Sequence, residues 1–242
     1  MLNVIIPVLN EEATIAQVVK QARNELKRLK IQEFAVLVVD NGSTDKTVLR
    51  AQEAGAKVLH EPRQGYGSAC LAALKVLPFP QGWVCFMDGD GADDPRDFEA
   101  LLKPLQNGTA DMVLGSRILG QKLGWVERGA LSPVQRFGNQ LSGFLLSHTW
   151  GVSCSDLGPF RVVQATALRR LEMDDPDFGW TVQMQARAAR LGLRVLEVPV
   201  HYRQRQGGHS KISGTVKGSV LAGIIILKTY AASVFWRPKP SK

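Results

Sequence analysis

The sequence predicts an α/β protein built on a mainly parallel sheet with helices on both faces. Three observations predict it: short apolar runs recur through the first hundred residues, helical patterns separate them, and acids or glycines collect where the runs end. Runs that are apolar throughout are strands buried on both faces, and strands alternating with helices pair in parallel through crossovers. In such sheets ligands bind at the carboxyl ends of the strands.

"LNVIIPV" (2–8) reads as the first strand, and "EEATIAQVVKQARNELKRL" as a helix with Ile15, Val18, Val19, Ala22, Leu26 and Leu29 on one face. "FAVLVVD" is the second strand and "STDKTVLRAQEAG" a helix ending at Gly55. "AKVLHE", "GSACLAALKVL" and "WVCFMD" repeat the cycle as strand, helix and strand. "PRDFEALL" opens a helix, with Asp93 and Asp94 expected to cap it and Pro95 in its first turn. "ADMVLGSR" supplies a further strand, and "GQKLGWVERGALSP" a loop. Then come helices in "VQRFGNQLSGFLLSHTW", "GPFRVVQATALRRL" and "GWTVQMQARAARLG", and a strand in "LRVLEVPVHY".

The last segment carries Val216, Val220, Ile224, Leu227, Ala231 and Val234 on one helical stripe, flanked by Lys217, Lys228, Arg237, Lys239 and Lys242. Ten uncharged residues between Lys217 and Lys228 are too few to cross a bilayer. An amphipathic helix lying on an anionic membrane surface is the expectation, with packing on the protein's own core or against a second copy of the chain as the alternatives. The division expected is therefore one α/β domain over 1–215 and a helix with a basic tail over 216–242.

The composition, 45% hydrophobic and 21% charged over 242 residues, suits one large globular domain. Cys70, Cys85 and Cys154 are odd in number and scattered, which argues against a disulfide framework or a zinc site. The N-terminus lacks the pattern of a secretory signal, so a cytoplasmic protein, peripheral on the inner face of the membrane, is expected. A net charge of +8 suits anionic ligands or surfaces, while few aromatics and no nucleic-acid-binding motif argue against nucleic acid.

"FMDGDGADDP" concentrates the chemistry. Asp88 and Asp90 stand two apart, so in extended geometry both carboxylates point one way and can share a hard divalent cation, Mg²⁺ or Mn²⁺, with phosphate oxygens. Asp40 closes the second strand, where a carboxylate can accept bonds from a nucleoside. "RQGYGSA" lacks the third glycine of a dinucleotide fingerprint, and suits close backbone approach to a nucleotide.

The ordered set "IIPVLNEE", "VVDNGSTDKT", "RQGYGSA", "MDGDGADDP", "LGSR", "SDLGPFR" and "GGHSK" resembles the family 2 glycosyltransferases of GT-A fold, of the dolichyl-phosphate mannose or glucose synthase type. The resemblance spans about residues 2–215. It implies a nucleotide sugar donor bound by Pro7, Glu11, Asp40, Gly65, Gly67 and Asp88, and Asp88 with Asp90 as the metal-binding DxD motif. It also implies that Arg205, Ser210 and Lys211 close over the donor diphosphate. His209 lies in the same segment, and Gly207 and Gly208 suit a hinge.

Two positions depart from the family. Ala92 stands where relatives carry a Gln ligand, and Gln183 where similar proteins carry an acid. An amide is no general base, but a phosphate monoester is already anionic at neutral pH and needs positive charge instead. That favours a polyprenyl phosphate acceptor, with Arg117 and Arg161 as catalytic cations and Arg128 or Arg136 reaching from the loop. Asp156 is the candidate base for a hydroxyl acceptor, and Asp90 is counted with the catalytic set. The reading is an inverting hexosyltransferase taking glucose or mannose from UDP or GDP. A hydroxyl acceptor, a nucleotidyltransferase and a non-catalytic nucleotide-sugar binder are the alternatives.

Overall fold

The computed structural model describes residues 1–77, 82–206 and 216–238, with side chains in the last segment from 223 onward. Its strands are β1 (Leu2–Val8), β2 (Phe34–Asp40), β3 (Lys57–His60), β4 (Trp83–Phe86), β5 (Met112–Ser116), β6 (Arg161–Gln164) and β7 (Val195–Pro199). They form one sheet in the order β3-β2-β1-β4-β6-β5-β7. Every neighbouring pair is parallel except those that involve β6, which runs antiparallel to both β4 and β5. The α/β sheet expected from the alternating runs is therefore present, with one reversed strand.

The helices are α1 (Ile15–Arg28), α2 (Thr47–Glu53), α3 (Tyr66–Val76), α4 (Phe98–Gln106), α5 (Arg117–Lys122), α6 (Pro133–Trp150), α7 (Ala165–Arg170), α8 (Trp180–Arg190) and α9 (Val216–Phe235). Alternate residues of β1 feed the two faces. Val4, Ile6 and Val8 pack with Ile15, Val19 and Leu26 of α1 and Phe98, Leu101 and Leu105 of α4. Ile5 packs with Ala69 and Ala73 of α3 and Trp180 and Met184 of α8. This two-sided burial is why the strands lack polar alternation.

One expectation fails here. "GPFRVVQATALRRL" is not a single helix: Arg161–Gln164 is β6, and only Ala165–Arg170 is helical. Val162 and Val163 both read as helix-compatible, and no glycine or proline separates the central strand from α7. The expected loop after β5 likewise begins with the short helix α5, whose first residues are stabilised by Ser116 Oγ accepting from Leu119 N at 3.0 Å.

α9 packs against α6 and α8 with its polar side inward. Thr229 and Ser233 are buried, while Ile224 is 55% and Leu227 49% exposed and Phe235 points into solvent. Thr229 Oγ1 donates to Asp175 Oδ2 at 3.3 Å, and Ser233 Oγ donates back to the Thr229 carbonyl at 2.8 Å. The apolar stripe expected for this segment is, at Ile224 and Leu227, a solvent-facing one. Among the described residues no helix is long and apolar enough to cross a membrane.

Candidate active site

A cavity of about 790 Å³ opens over the carboxyl ends of β1, β2, β4 and β5. Pro7, Glu11, Asn41, Gly65, Asp88, Asp90, Arg117 and Arg205 line it, so the edge predicted from the strand ends is the edge that carries the site.

The loop after β4 is held from three sides. Asp88 N donates to Asp93 Oδ2 at 3.0 Å, Ala92 N to Asp90 Oδ1 at 3.0 Å, and Thr14 Oγ1 to the Gly89 carbonyl at 2.7 Å. A Cβ on Gly89 would lie 2.6 Å from Val8 Cγ1, which is why the motif needs glycine between its aspartates. The Asp88 carboxylate makes no hydrogen bond or ion pair among the described residues. Burial, and then the charge of Asp90, push it up to about 7. Asp90 is 3% exposed, and its Oδ2 lies 3.0 Å from Arg205 Nε; Arg205 Nη1 lies 3.3 Å from Glu11 Oε1.

No three His, Cys, Asp or Glu side chains among the described residues converge as a ready-made metal cage. The donor set fits a divalent cation in another way. Two carboxylates on one loop, one of them without a partner among the described residues, suit a hard cation that completes its shell with phosphate oxygens and water.

Asp93 does not cap the next helix as expected. It is 3% exposed, accepts from the Asp88 amide, and has Oδ1 buried without a partner among the described residues. Burial and the nearby Asp88 charge push its carboxyl well up. Asp94 does cap, accepting from Arg96 N at 3.0 Å, and it also pairs with the side chains of Arg96 and Arg203. Ala92 packs with Leu131 and Tyr202, so the position that departs from the family sits in a small apolar cluster.

On the nucleoside side, Asp40 is buried, with Oδ1 accepting from Ser43 N at 3.0 Å and Oδ2 2.9 Å from His60 Nδ1. The cavity wall takes its neighbour Asn41 instead. Asn41 was missed in the sequence, yet it ties down the whole 61–65 loop. Its Nδ2 donates to the carbonyls of Glu61 at 2.9 Å and Arg63 at 2.6 Å, and its Oδ1 accepts from Gly65 N at 2.7 Å.

Gly65 lines the cavity, but Gly67 serves another neighbour: a Cβ there would strike the Asp175 carbonyl. Gly67 N donates to the Asp177 carbonyl at 3.2 Å and Ser68 N to that of Pro176 at 2.6 Å. The start of α3 is thus satisfied by the 175–177 turn. That turn brings Asp177 and Phe178 to the cavity, and the Asp177 carboxylate makes no hydrogen bond or ion pair among the described residues.

Arg117 reaches the cavity from the end of β5, with its guanidinium 5.0 Å from the centre of the Tyr202 ring. Asp156 does not stand ready as a base. Its oxygens accept from Arg117 N at 2.7 Å, Nε at 2.8 Å and Nη2 at 2.7 Å, and from Asn139 Nδ2 at 2.7 Å. Burial pushes its carboxyl up, but Arg117 outweighs this and holds it below the usual range. It positions Arg117.

Arg161 is fully buried and donates to the carbonyls of Leu157, Gly158 and Thr181, so it shapes the 157–158 turn and leaves no guanidinium face for a phosphate. Gln183 is spent as well: Oε1 accepts from Asp174 N at 3.0 Å and Asp175 N at 3.1 Å, and Nε2 donates to Asp174 Oδ1 at 2.8 Å. Its amide therefore says nothing about the acceptor. Arg128 is exposed and Arg136 donates to Gln121 Oε1 at 2.8 Å; neither lines the cavity. Gly207, Gly208, His209, Ser210 and Lys211 lie outside the described residues.

The far wall of the same cavity is apolar. Val134 and Gly138 of α6, Ile225 and Ile226 of α9, and Leu157, Pro159 and Val182 form it. One chamber therefore joins a pair of acids to a hydrocarbon-lined recess.

Residues 3–162 match the model of Glycosyl transferase family 2. An uncharacterised glycosyltransferase of Mycobacterium tuberculosis is 35% identical over 221 residues, covering 90% of this chain and 93% of the relative. The undecaprenyl-phosphate mannosyltransferase of Micrococcus luteus is 30% identical, covering 91% of this chain and 90% of the relative. Among solved structures, glucosyl-3-phosphoglycerate synthase of M. tuberculosis with Mn²⁺, UDP and phosphoglyceric acid superposes with a TM-score of 0.73 at 21% identity, covering 99% of this chain and 80% of that one. That likeness shows the fold, and the sequence match shows the lineage: the chain belongs to glycosyl transferase family 2.

Proposed function

We propose that the chain is an inverting hexosyltransferase that moves glucose or mannose from a nucleoside diphosphate sugar to a polyprenyl phosphate. The observation that carries this reading is the two-sided cavity, acidic at Asp88 and Asp90 and apolar between α6 and α9. A polar headgroup attached to a long hydrocarbon chain is the acceptor such a chamber suits. The similarity to the undecaprenyl-phosphate mannosyltransferase of M. luteus supports it.

In this reading Glu11 binds the nucleoside, with Asn41 fixing the 61–65 loop beside it and Asp40 holding the Ser43 turn from behind. Asp88 and Asp90 would hold a divalent cation, which supplies charge neutralisation for the leaving diphosphate. Arg117, locked by Asp156, presents positive charge to the acceptor phosphate, which attacks from the face opposite the leaving group. A phosphate nucleophile is already anionic at neutral pH and needs no base.

The outward apolar face of α9, with Ile224, Leu227 and Phe235 beside Lys228 and Arg237, supports peripheral attachment to an anionic membrane. The test incubates purified protein and Mn²⁺ or Mg²⁺ with UDP-glucose or GDP-mannose and a polyprenyl phosphate in anionic vesicles. Label transfer to the lipid is expected. Transfer only to water-soluble hydroxyl compounds would overturn the acceptor assignment.

One observation favours a second reading. Asp177 presents to the cavity a carboxylate that has no partner among the described residues, as a general base for a hydroxyl acceptor would. Asp177→Asn should leave transfer to a lipid phosphate nearly intact, whereas transfer to a hydroxyl compound that falls about 100-fold in the variant would favour the hydroxyl acceptor.

A further inference from the structure

We propose that Arg205 is the resident counter-cation of the acid pair, occupying the place of the divalent ion until a nucleotide diphosphate draws the guanidinium away. The inference rests on the reading of Asp88 and Asp90 as the cation site.

Glu11, Asp88 and Asp90 line the cavity and Asp93 supports the Asp88 amide beside them, so four carboxyl groups gather here, three of them less than a tenth exposed. Buried carboxylates without a compensating charge are costly, and among the described side chains Arg205 bridges two of these acids. Its Nε lies 3.0 Å from Asp90 Oδ2 and its Nη1 3.3 Å from Glu11 Oε1. The backbone zips the arginine into place: Gln206 N donates to the Asp90 carbonyl at 3.2 Å, and Arg203 N to that of Ala92 at 2.9 Å. The segment that carries Arg205 is thus fastened to the loop that carries the acids.

A dication bound to Asp90 Oδ2 would meet a guanidinium already on that oxygen, and two cations on one carboxylate repel. A diphosphate offers the guanidinium a better partner, with more charge and the planar pair of oxygens that arginine grips with two donors. Nucleotide binding would thereby strip Arg205 from Asp90 and open the oxygen to metal. By linkage, metal would favour the nucleotide to the same degree. The same arginine would then stand over the diphosphate when the leaving group departs, so one side chain both guards the empty site and serves the filled one.

The test measures Mn²⁺ affinity from the electron paramagnetic resonance of free Mn²⁺, with and without UDP, in the full-length wild type, Arg205→Gln and Arg205→Lys. Without nucleotide, Arg205→Gln should bind Mn²⁺ about tenfold tighter than wild type, with Arg205→Lys between them because an ammonium cannot bridge both acids. UDP should tighten Mn²⁺ binding in wild type by a factor about tenfold larger than in Arg205→Gln. A merely structural arginine predicts unchanged or weaker Mn²⁺ binding in the variants, and that result overturns the proposal. If Arg205→Gln fails to fold, Arg205→Lys decides by the same criterion. Failure of every form to bind Mn²⁺, with or without UDP, would overturn the cation site itself. Mn²⁺ and UDP binding by wild type with no gain in the variants would overturn only the role of Arg205.

Discussion

Asp156 grips Arg117 with both carboxylate oxygens, Nε to Oδ2 at 2.8 Å and Nη2 to Oδ1 at 2.7 Å, and neither side chain is more than 6% exposed. Breaking a buried pair by removing one partner leaves the other charged in a poor solvent. Asp156→Ala should therefore lower stability by about 3–5 kcal/mol, read as the shift in the urea unfolding curve. An unchanged midpoint would mean that water reaches Arg117.

The same pair sets an acid limit. Asp156 titrates below the ordinary aspartate value of 3.8 in the folded chain, so the unfolded chain takes up its proton first. The pair's stabilisation is present above that value and is lost as pH falls through the depressed folded value. The stability gap between wild type and Asp156→Asn should be full at neutral pH and shrink below about pH 4. A gap that stayed constant with pH would show that the carboxylate is not held charged by Arg117.

Asn41 holds three backbone groups of the 61–65 loop. Asn41→Ala leaves them to water and should cost about 1–3 kcal/mol. Its larger effect should fall on donor binding, with KM for the nucleotide sugar rising on the order of tenfold while kcat changes little. A change confined to kcat would place the loop in the chemical step instead.

Two glycine substitutions should act in opposite directions. Gly67→Ala drives a methyl group into the Asp175 carbonyl and should destabilise by about 1–3 kcal/mol. Gly223→Ala meets nothing within 4 Å and sits inside α9, so a gain of about 0.5–1 kcal/mol is expected. Thermal unfolding of the two variants checks both signs.

Much of this layout was legible in the residues alone. Buried strands announce themselves by unbroken apolar runs, and the parallel rule then puts Glu11, Asp88 and Arg117 on one edge without coordinates. What escaped was contact-dependent. The strand Arg161–Gln164 runs into α7 without punctuation, and its four residues are too few to show a period. Asp93 looked like a helix cap because capping and supporting a neighbouring amide need the same side chain. Asp156 and Arg161 looked available for chemistry, because a sequence does not say which donors and acceptors are already consumed. Asn41 was overlooked beside Asp40, since only the folded 61–65 loop brings three backbone partners to its amide.

The reversal of β6 has a practical consequence for altering the protein. Its neighbours deliver the cavity residues as they leave the sheet, but β6 delivers Leu157 and Pro159 as the chain enters it. The stretch from Gly151 to Phe160 therefore spans from the end of α6 to the cavity wall without passing through any element that holds the nucleotide side. Leu157 and Pro159 can be exchanged there to reshape the recess, provided Asp156, which locks Arg117, and Phe160, which packs in the core, are kept, and Glu11, Asn41, Asp88 and Asp90 stay on their own strands.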